Sequence, residues 1–162
     1  MNNDFFDVNQ QLIKRKKRDK VFWRISAYAL IVSSEQKVLL VLPCCYKEKR
    51  VFPGGEVELD ESIQGAIVRE CYEETGYKVE VTSDKPIYVG ETNFYCEKEF
   101  RHSINLIYSA RLLTDKPNKK VINTVCPSEV KKVEWIPLKK INEKNCHHVM
   151  YPVIRSLKNK TI

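Results

Sequence analysis

Gly55-Glu56-Val57-Glu58-Leu59-Asp60-Glu61-Ser62-Ile63-Gln64-Gly65-Ala66-Ile67-Val68-Arg69-Glu70-Cys71-Tyr72-Glu73-Glu74-Thr75-Gly76-Tyr77 is the stretch on which the reading of this chain turns. Ser62 to Thr75 has helical periodicity, with Asp60 and Ser62 as capping candidates and Gly76 in the terminating position. Wound at the helical period, Glu70 and Glu74 fall within about 20° of Ile63, in the middle of the apolar stripe that Ala66 and Ile67 complete. Glu73 flanks that stripe, and Asp60 and Glu61 crowd the helix start. Like charges three or four residues apart destabilise a helix by roughly 0.2–0.5 kcal/mol per pair, and unpaired burial costs more. A positive partner is therefore expected.

A hard divalent cation suits that role, because it prefers oxygen ligands and combines carboxylates with waters and substrate phosphates. One helical turn presents Glu70, Glu73 and Glu74 side by side, and Arg69 reaches Glu73 at i+4. The plainer alternative is a solvated acidic face with ordinary salt bridges. Gly54 and Gly55, just before the acidic run, allow the backbone to approach an ion or a phosphate closely.

Outward from the helix, Phe22–Ser33 and Lys37–Leu42 are β-branched and apolar with a polar turn between them, which predicts two strands. Pro53-Gly54-Gly55 is read as a sharp loop. Further strands are predicted at Tyr77–Thr82, Pro86–Tyr95, Ile104–Leu113 and Lys132–Ile136, and a last helix within Cys146–Lys158. The sum is an α/β protein, a mixed sheet flanked by helices.

Length and charge bound the rest. A chain of 162 residues with 43% apolar content forms one compact domain with a core of its own. No run approaches the roughly eighteen apolar residues that a membrane helix needs, and Met1–Lys20 lacks the layout of a secretory signal, so a cytoplasmic location and no membrane partner are expected. The six cysteines include no CxxC pair and are read as reduced thiols. The net charge of +7 is uneven: residues 1–50 carry a net +6, residues 51–80 a net −6 and residues 81–162 a net +7. An acidic island in a basic chain suits a site where carboxylates hold cations while lysines and arginines attract a polyanion. The chain has no GxxxxGK[ST] loop, GxSxG elbow or HExxH pair, which removes the corresponding NTPase, serine-hydrolase and zinc-protease readings.

Taken together, these residues resemble the signature of Nudix (MutT-like) hydrolases, G-x5-E-x7-R-E-U-x-E-E-x-G-U with U a bulky apolar residue. Here it runs Gly55, Glu61, Arg69-Glu70-Cys71, Glu73-Glu74, Gly76-Tyr77, and every fixed position matches. The U positions hold Cys71 and Tyr77, less usual than aliphatics but buriable. Phe52-Pro53-Gly54-Gly55-Glu56 and Val133-Glu134-Trp135-Ile136-Pro137-Leu138 are similar to family segments as well. The resemblance implies the Nudix α/β/α sandwich, with residues 21–162 as a single hydrolase domain after a basic N-terminal arm or helix over residues 1–20.

It also implies a reaction: divalent-metal-dependent hydrolysis of the phosphoanhydride bond of a nucleoside diphosphate linked to a group X. Gly55, Glu61, Glu70, Glu73 and Glu74 would hold Mg²⁺, with Mn²⁺ able to substitute, and Arg69 would orient the carboxylates. Glu70 is the first candidate for general base and Glu129 the second. Outside the signature, Arg101, Arg50 and Tyr46 are candidate substrate contacts, and Phe94, Tyr95 and Phe100 are further aromatics that could stack on a base. The expected partner is a small-molecule nucleotide, met by a monomer or homodimer. Two alternatives stand beside it: a capped or 5′-triphosphorylated RNA end held by the basic arm Lys14–Lys20, and a non-catalytic nucleotide-binding module.

Overall fold

The structure, a computed structural model, describes residues 4–7, 11–96, 98–125 and 130–160. In chain order its elements are β1 (Asp4–Phe6), β2 (Leu12–Lys14), β3 (Val21–Leu30), β4 (Lys37–Pro43), β5 (Gly54–Glu56), α1 (Ile63–Thr75), β6 (Val79–Val81), β7 (Tyr88–Cys96), β8 (Glu99–Leu112), α2 (Lys119–Val125), β9 (Val130–Pro137) and α3 (Tyr151–Lys160). The main sheet has the order β2-β1-β7-β8-β3-β5, with β6 on the far end of β8. It is mixed: β3 runs parallel to β8 from Val21↔Phe100 to Leu30↔Ser109, while β7 is antiparallel to β8. Strands β4 and β9 form a separate antiparallel ribbon.

Period-two alternation along β3 divides the core in two. Ala27 and Ala29, followed by Ile31, face Ile67 and Cys71 of α1, together with Leu39 of β4 and Tyr77. Tyr28 and Leu30 face the other way, into a cluster with Ile107, Phe52 and the α3 residues Val153 and Ile154. Helices α1 and α3 thus cover opposite faces, which is the α/β/α sandwich. Cys71 and Tyr77, the two less usual residues of the signature, are both buried.

The helix at the centre of the reading forms where its sequence predicts. The Ser62 side chain accepts from the Gly65 amide at 3.0 Å, and Gly76 closes the helix at φ 71° with its N–H donated to the Tyr72 carbonyl. Other boundaries differ. Pro53-Gly54-Gly55, expected to be a sharp loop, enters an edge strand, because β3 offers free backbone groups: Tyr28 pairs with Gly54 and Ala27 with Gly55. Strand β8 begins at Glu99, five residues before the expected start, since its polar first half is held by partners on both sides. The described part of residues 1–20 holds strands β1 and β2. Phe6 registers with Phe94, and Phe5 meets Phe100 edge-on at 5.0 Å between ring centres.

Candidate active site

Three carboxylates of the signature gather on one guanidinium. Arg69 donates from Nη2 to Glu61 Oε1 at 2.6 Å and from Nε to Glu61 Oε2 at 3.1 Å. Its Nη1 serves both Glu70 Oε1 at 3.0 Å and Glu73 Oε2 at 3.2 Å, and Nη2 also reaches the Glu56 carbonyl at 3.2 Å. The expected i+4 contact to Glu73 is there, but it is one of several. The first consequence is electrostatic: hydrogen bonds to Arg69 hold the Glu61 carboxyl below the usual carboxylate range and push the Arg69 pKa up.

Glu74 behaves differently. It is the buried carboxylate of α1, and its Oε2 accepts from the Gly54 amide at 2.9 Å, tying the helix to edge strand β5. Gly55 lies against Glu70 so closely that a Cβ there would stand 2.6 Å from Glu70 Oε1. Two adjacent glycines thus do two jobs. Gly54 adopts φ 139°, and its missing side chain makes room for the β3 backbone; Gly55 makes room for the Glu70 carboxylate.

This arrangement offers a hard cation the right donor chemistry. Every atom available is oxygen: carboxylates on one helix face, and a glycine backbone that Glu70 approaches within a cradle a side chain would fill. Among the described residues no three carboxylate, imidazole or thiol groups converge as a ligand set; the positive charge that collects Glu61, Glu70 and Glu73 is the guanidinium of Arg69.

Beside Gly54, Gly55 and Glu74 opens a cavity of about 660 Å³. Its floor is the sheet face bearing Arg24, Ser26, Tyr28, Thr92, Phe94, Ser103 and Asn105, and its roof includes Tyr46, His147 and His148. Tyr46, a sequence candidate, lines it and meets His147 edge-on at 5.4 Å. Arg50 does not line it: Nε and Nη2 bind Glu134 Oε2 at 2.9 and 2.8 Å. Arg101 does not line it either, its Nε and Nη2 each being 3.0 Å from Glu99 Oε2 while the guanidinium lies 5.9 Å from the Phe94 ring centre. Tyr95 and Phe100 pack against each other at 4.8 Å on the opposite face. Glu129 lies outside the described residues.

Of the floor, sequence reasoning named only Phe94 and missed its polar residues. Its signal was Ser103-Ile104-Asn105, two polar residues flanking an apolar one, the period of a strand with one polar face. Of the roof, sequence reasoning named Tyr46 but not the two histidines, which have a pH consequence. Burial lowers the His147 pKa from 6.5 to about 3, and burial also lowers that of His148. A histidine whose folded pKa lies below its unfolded value stabilises the fold above the unfolded pKa, and that stability drains away as pH falls toward the folded one. The melting temperature is accordingly expected to drop between pH 6.5 and 4. His147→Asn, which keeps an acceptor where Nδ1 now receives the Val149 amide at 3.4 Å, should flatten the drop in a thermal-melt series. An unchanged slope would show that His147 is not buried in its neutral form.

Known proteins resemble this chain in two ways. Mouse (Mus musculus) diphosphoinositol polyphosphate phosphohydrolase 3-alpha is 48% identical over 44 residues, 27% of this chain and 27% of that protein. Mouse diphosphoinositol polyphosphate phosphohydrolase 2 is 42% identical over 62 residues, 37% of this chain and 35% of that protein. The chain therefore matches about a quarter to a third of the length of these curated relatives. In shape it resembles the crystal structure of a MutT NUDIX hydrolase from Burkholderia pseudomallei, with TM-score 0.64 and 21% identity over 82% of this chain and 96% of the other. A family model described as NUDIX domain matches residues 23–157, from β3 into α3 and without β1 and β2, and on that match the chain belongs to the NUDIX family.

Proposed function

We propose that this protein hydrolyses the phosphoanhydride bond of a nucleoside diphosphate linked to a second group, with the help of Mg²⁺ or Mn²⁺. The observation that carries the reading is the juxtaposition at β5: the carboxylates of α1 meet the Gly54-Gly55 backbone at the mouth of a cavity of nucleotide size. Glu70, Glu73 and Glu74, with the Gly55 carbonyl and with Glu61 close by, are the residues that would hold the metal. When bound, such a cation neutralises diphosphate charge and lowers the pKa of an attacking water. Glu70, placed against the Gly55 backbone, accepts the proton; Arg69 keeps Glu61, Glu70 and Glu73 in register and offsets their mutual repulsion. Glu129 remains the second candidate for proton acceptor.

Among the described residues no helix is long and apolar enough to cross a membrane, and Cys44, Cys71 and Cys146 are free thiols. A cytoplasmic, reducing setting agrees with both. The relatives' names bring in one competing substrate class, a diphosphoinositol polyphosphate. The test is incubation with nucleoside triphosphates, ADP-ribose, nucleotide sugars and diphosphoinositol pentakisphosphate in Mg²⁺, with products resolved by chromatography. Hydrolysis should vanish in excess chelator and return with added Mg²⁺ or Mn²⁺. Turnover that survives chelation, or no hydrolysis of any nucleotide anhydride, would sink the reading.

A further inference from the structure

The sheet beneath the cavity works as a ruler. Neighbouring strands lie about 4.8 Å apart, and directly paired residues share a face. From the glycine edge at β5, the next strand β3 presents Arg24, Ser26 and Tyr28 to the cavity. One strand further, β8 presents Ser103 and Asn105, in register with Arg24 and Ser26. Then β7 presents Thr92, paired with Ser103, and Phe94; last comes β1, whose Phe6 registers with Phe94 and whose Asp4 shares its face. A ligand anchored by its diphosphate at Gly55 reaches β8 after about 10 Å and β7 after about 14 Å.

The chemistry changes along that line. Ser103 is 1% exposed and its hydroxyl has no hydrogen-bond partner, a state that costs about 1–3 kcal/mol unless something completes it. Asn105, 5% exposed, points Nδ2 at Thr92 Oγ1 (3.1 Å) and at the carbonyls of Gly90 and Ser103 (both 3.5 Å). Those carbonyls accept only, so they set the amide's orientation and leave Oδ1 as its remaining acceptor. Beyond this polar pair stand the rings of Phe94 and Phe6, with Tyr46 in the roof.

Charge decides what can lie there. Among the described residues of the lining Arg24 is the basic one apart from the histidines, and its Nε already serves Ser26 Oγ at 3.2 Å and lies 3.5 Å from Glu56. Asp4, Asp7 and Glu74 are acidic; Glu91 turns to the opposite face, where it meets His102. Burial keeps His147 and His148 neutral near pH 7. A ring carrying several phosphates would meet net negative charge, whereas a flat, uncharged group with hydrogen-bonding edges would meet partners suited to it.

We propose that the floor of β8 and β7 is a nucleobase subsite in which Asn105 and Ser103 read the base edge, Phe94 stacks on it, and the N-terminal strand β1 supplies the far wall through Phe6 and Asp4. Strand β1 is then part of the substrate site, and a polyphosphorylated inositol is excluded from it. The proposal rests on the pyrophosphohydrolase reading in placing the diphosphate at Gly55.

Calorimetry without metal separates the two. The probes are AMP, GMP, CMP and UMP against inositol hexakisphosphate, titrated into wild type, Asn105→Ala and Phe6→Ala. Phe6 is 43% exposed, so its truncation leaves the fold intact even if Asn105→Ala melts early. At least one nucleotide should bind and inositol hexakisphosphate should not. Phe6→Ala should weaken that nucleotide about fivefold, and Asn105→Ala should weaken it about tenfold and reorder the four bases. In steady state with Mg²⁺, Phe6→Ala should raise KM by about the same factor with kcat within about twofold. Binding of inositol hexakisphosphate with no nucleotide bound, or nucleotide binding that neither variant alters, overturns the proposal. Metal-dependent hydrolysis of nucleotide anhydrides with kinetics that neither variant changes would do so while leaving the proposed function intact, hydrolysis of diphosphoinositol pentakisphosphate alone would overturn both, and base-ranked nucleotide binding with no anhydride hydrolysed would overturn the proposed function alone.

Discussion

Glu70→Gln is expected to lower turnover by about 100-fold or more and to leave the fold standing. The two side chains are nearly isosteric, and a glutamine Oε1 can still accept from Arg69 Nη1, now 3.0 Å from Glu70 Oε1. What the amide cannot do is take a proton from water, and it offers a metal a neutral oxygen in place of an anionic one. Stability should hold because Glu70 sits at the half-buried edge of α1, where Arg69 keeps Glu61 and Glu73 as partners. The measurement pairs kcat on the best substrate with a thermal melt. Retention of more than about a tenth of wild-type turnover would remove Glu70 from the role of general base.

A second large effect comes from the adjacent glycines, and its two halves should come apart. At Gly54 an added Cβ would meet the Ala27 carbonyl oxygen at 2.2 Å and the Tyr28 Cα at 2.7 Å, at a φ of 139° that side chains rarely adopt. These are backbone atoms of the central strand β3, which cannot yield without breaking its pairing with β8. Gly54→Ala is therefore expected to destabilise the protein by about 3 kcal/mol or more, combining steric strain with loss of the 2.9 Å bond that brings the Gly54 amide to Glu74. At Gly55 the neighbour is the Glu70 carboxylate, 2.6 Å from an added Cβ, which is the end of a side chain and can swing aside. Gly55→Ala should then fold with a near-normal melt yet lose activity about as heavily as Glu70→Gln. Urea unfolding and kcat for both variants give the contrast. Equal stability of the two would show that β5 does not press on β3 as the structure has it.

These expectations draw on features that differ in how early they can be read. The acidic turn of α1 is written locally: Glu70, Glu73 and Glu74 share a helix face because of the helical period alone, and Ser62 and Gly76 mark its ends through capping chemistry. That the burden of charge compensation falls on Arg69 was legible only in part. The i+4 contact to Glu73 follows from spacing, but the bonds to Glu61 need the 58–61 turn, where the Glu58 amide binds Glu61 Oε1 at 2.9 Å. Glu74 looked like a companion of Glu70 from spacing; its tie to Gly54, twenty positions away, depends on β5 docking on β3.

The basic residues show the limit most clearly. Arg50 and Arg101 are attractive phosphate contacts in a list of cations, yet Glu134 and Glu99 occupy their guanidiniums, and the Arg50–Glu134 pairing, 84 positions apart, is not visible along the chain. Arg24, Ser26, Ser103 and Asn105 are ordinary strand residues in sequence. They become one surface because β3 and β8 run parallel in a register that pairs Arg24 with Ser103 and Ser26 with Asn105.

By itself the sequence determined the α1 turn, its caps, the glycine pair that precedes it and the alternating strands of an α/β sandwich, since each of these follows from periods and conformational preferences acting within a few residues. Tertiary structure alone decided the strand made from Gly54–Glu56, the joining of β1 to β7 and the polar floor of the cavity. The reason is physical: strand pairing satisfies backbone groups between segments distant in the chain, and the shape of the completed core selects which of the many available pairings persists.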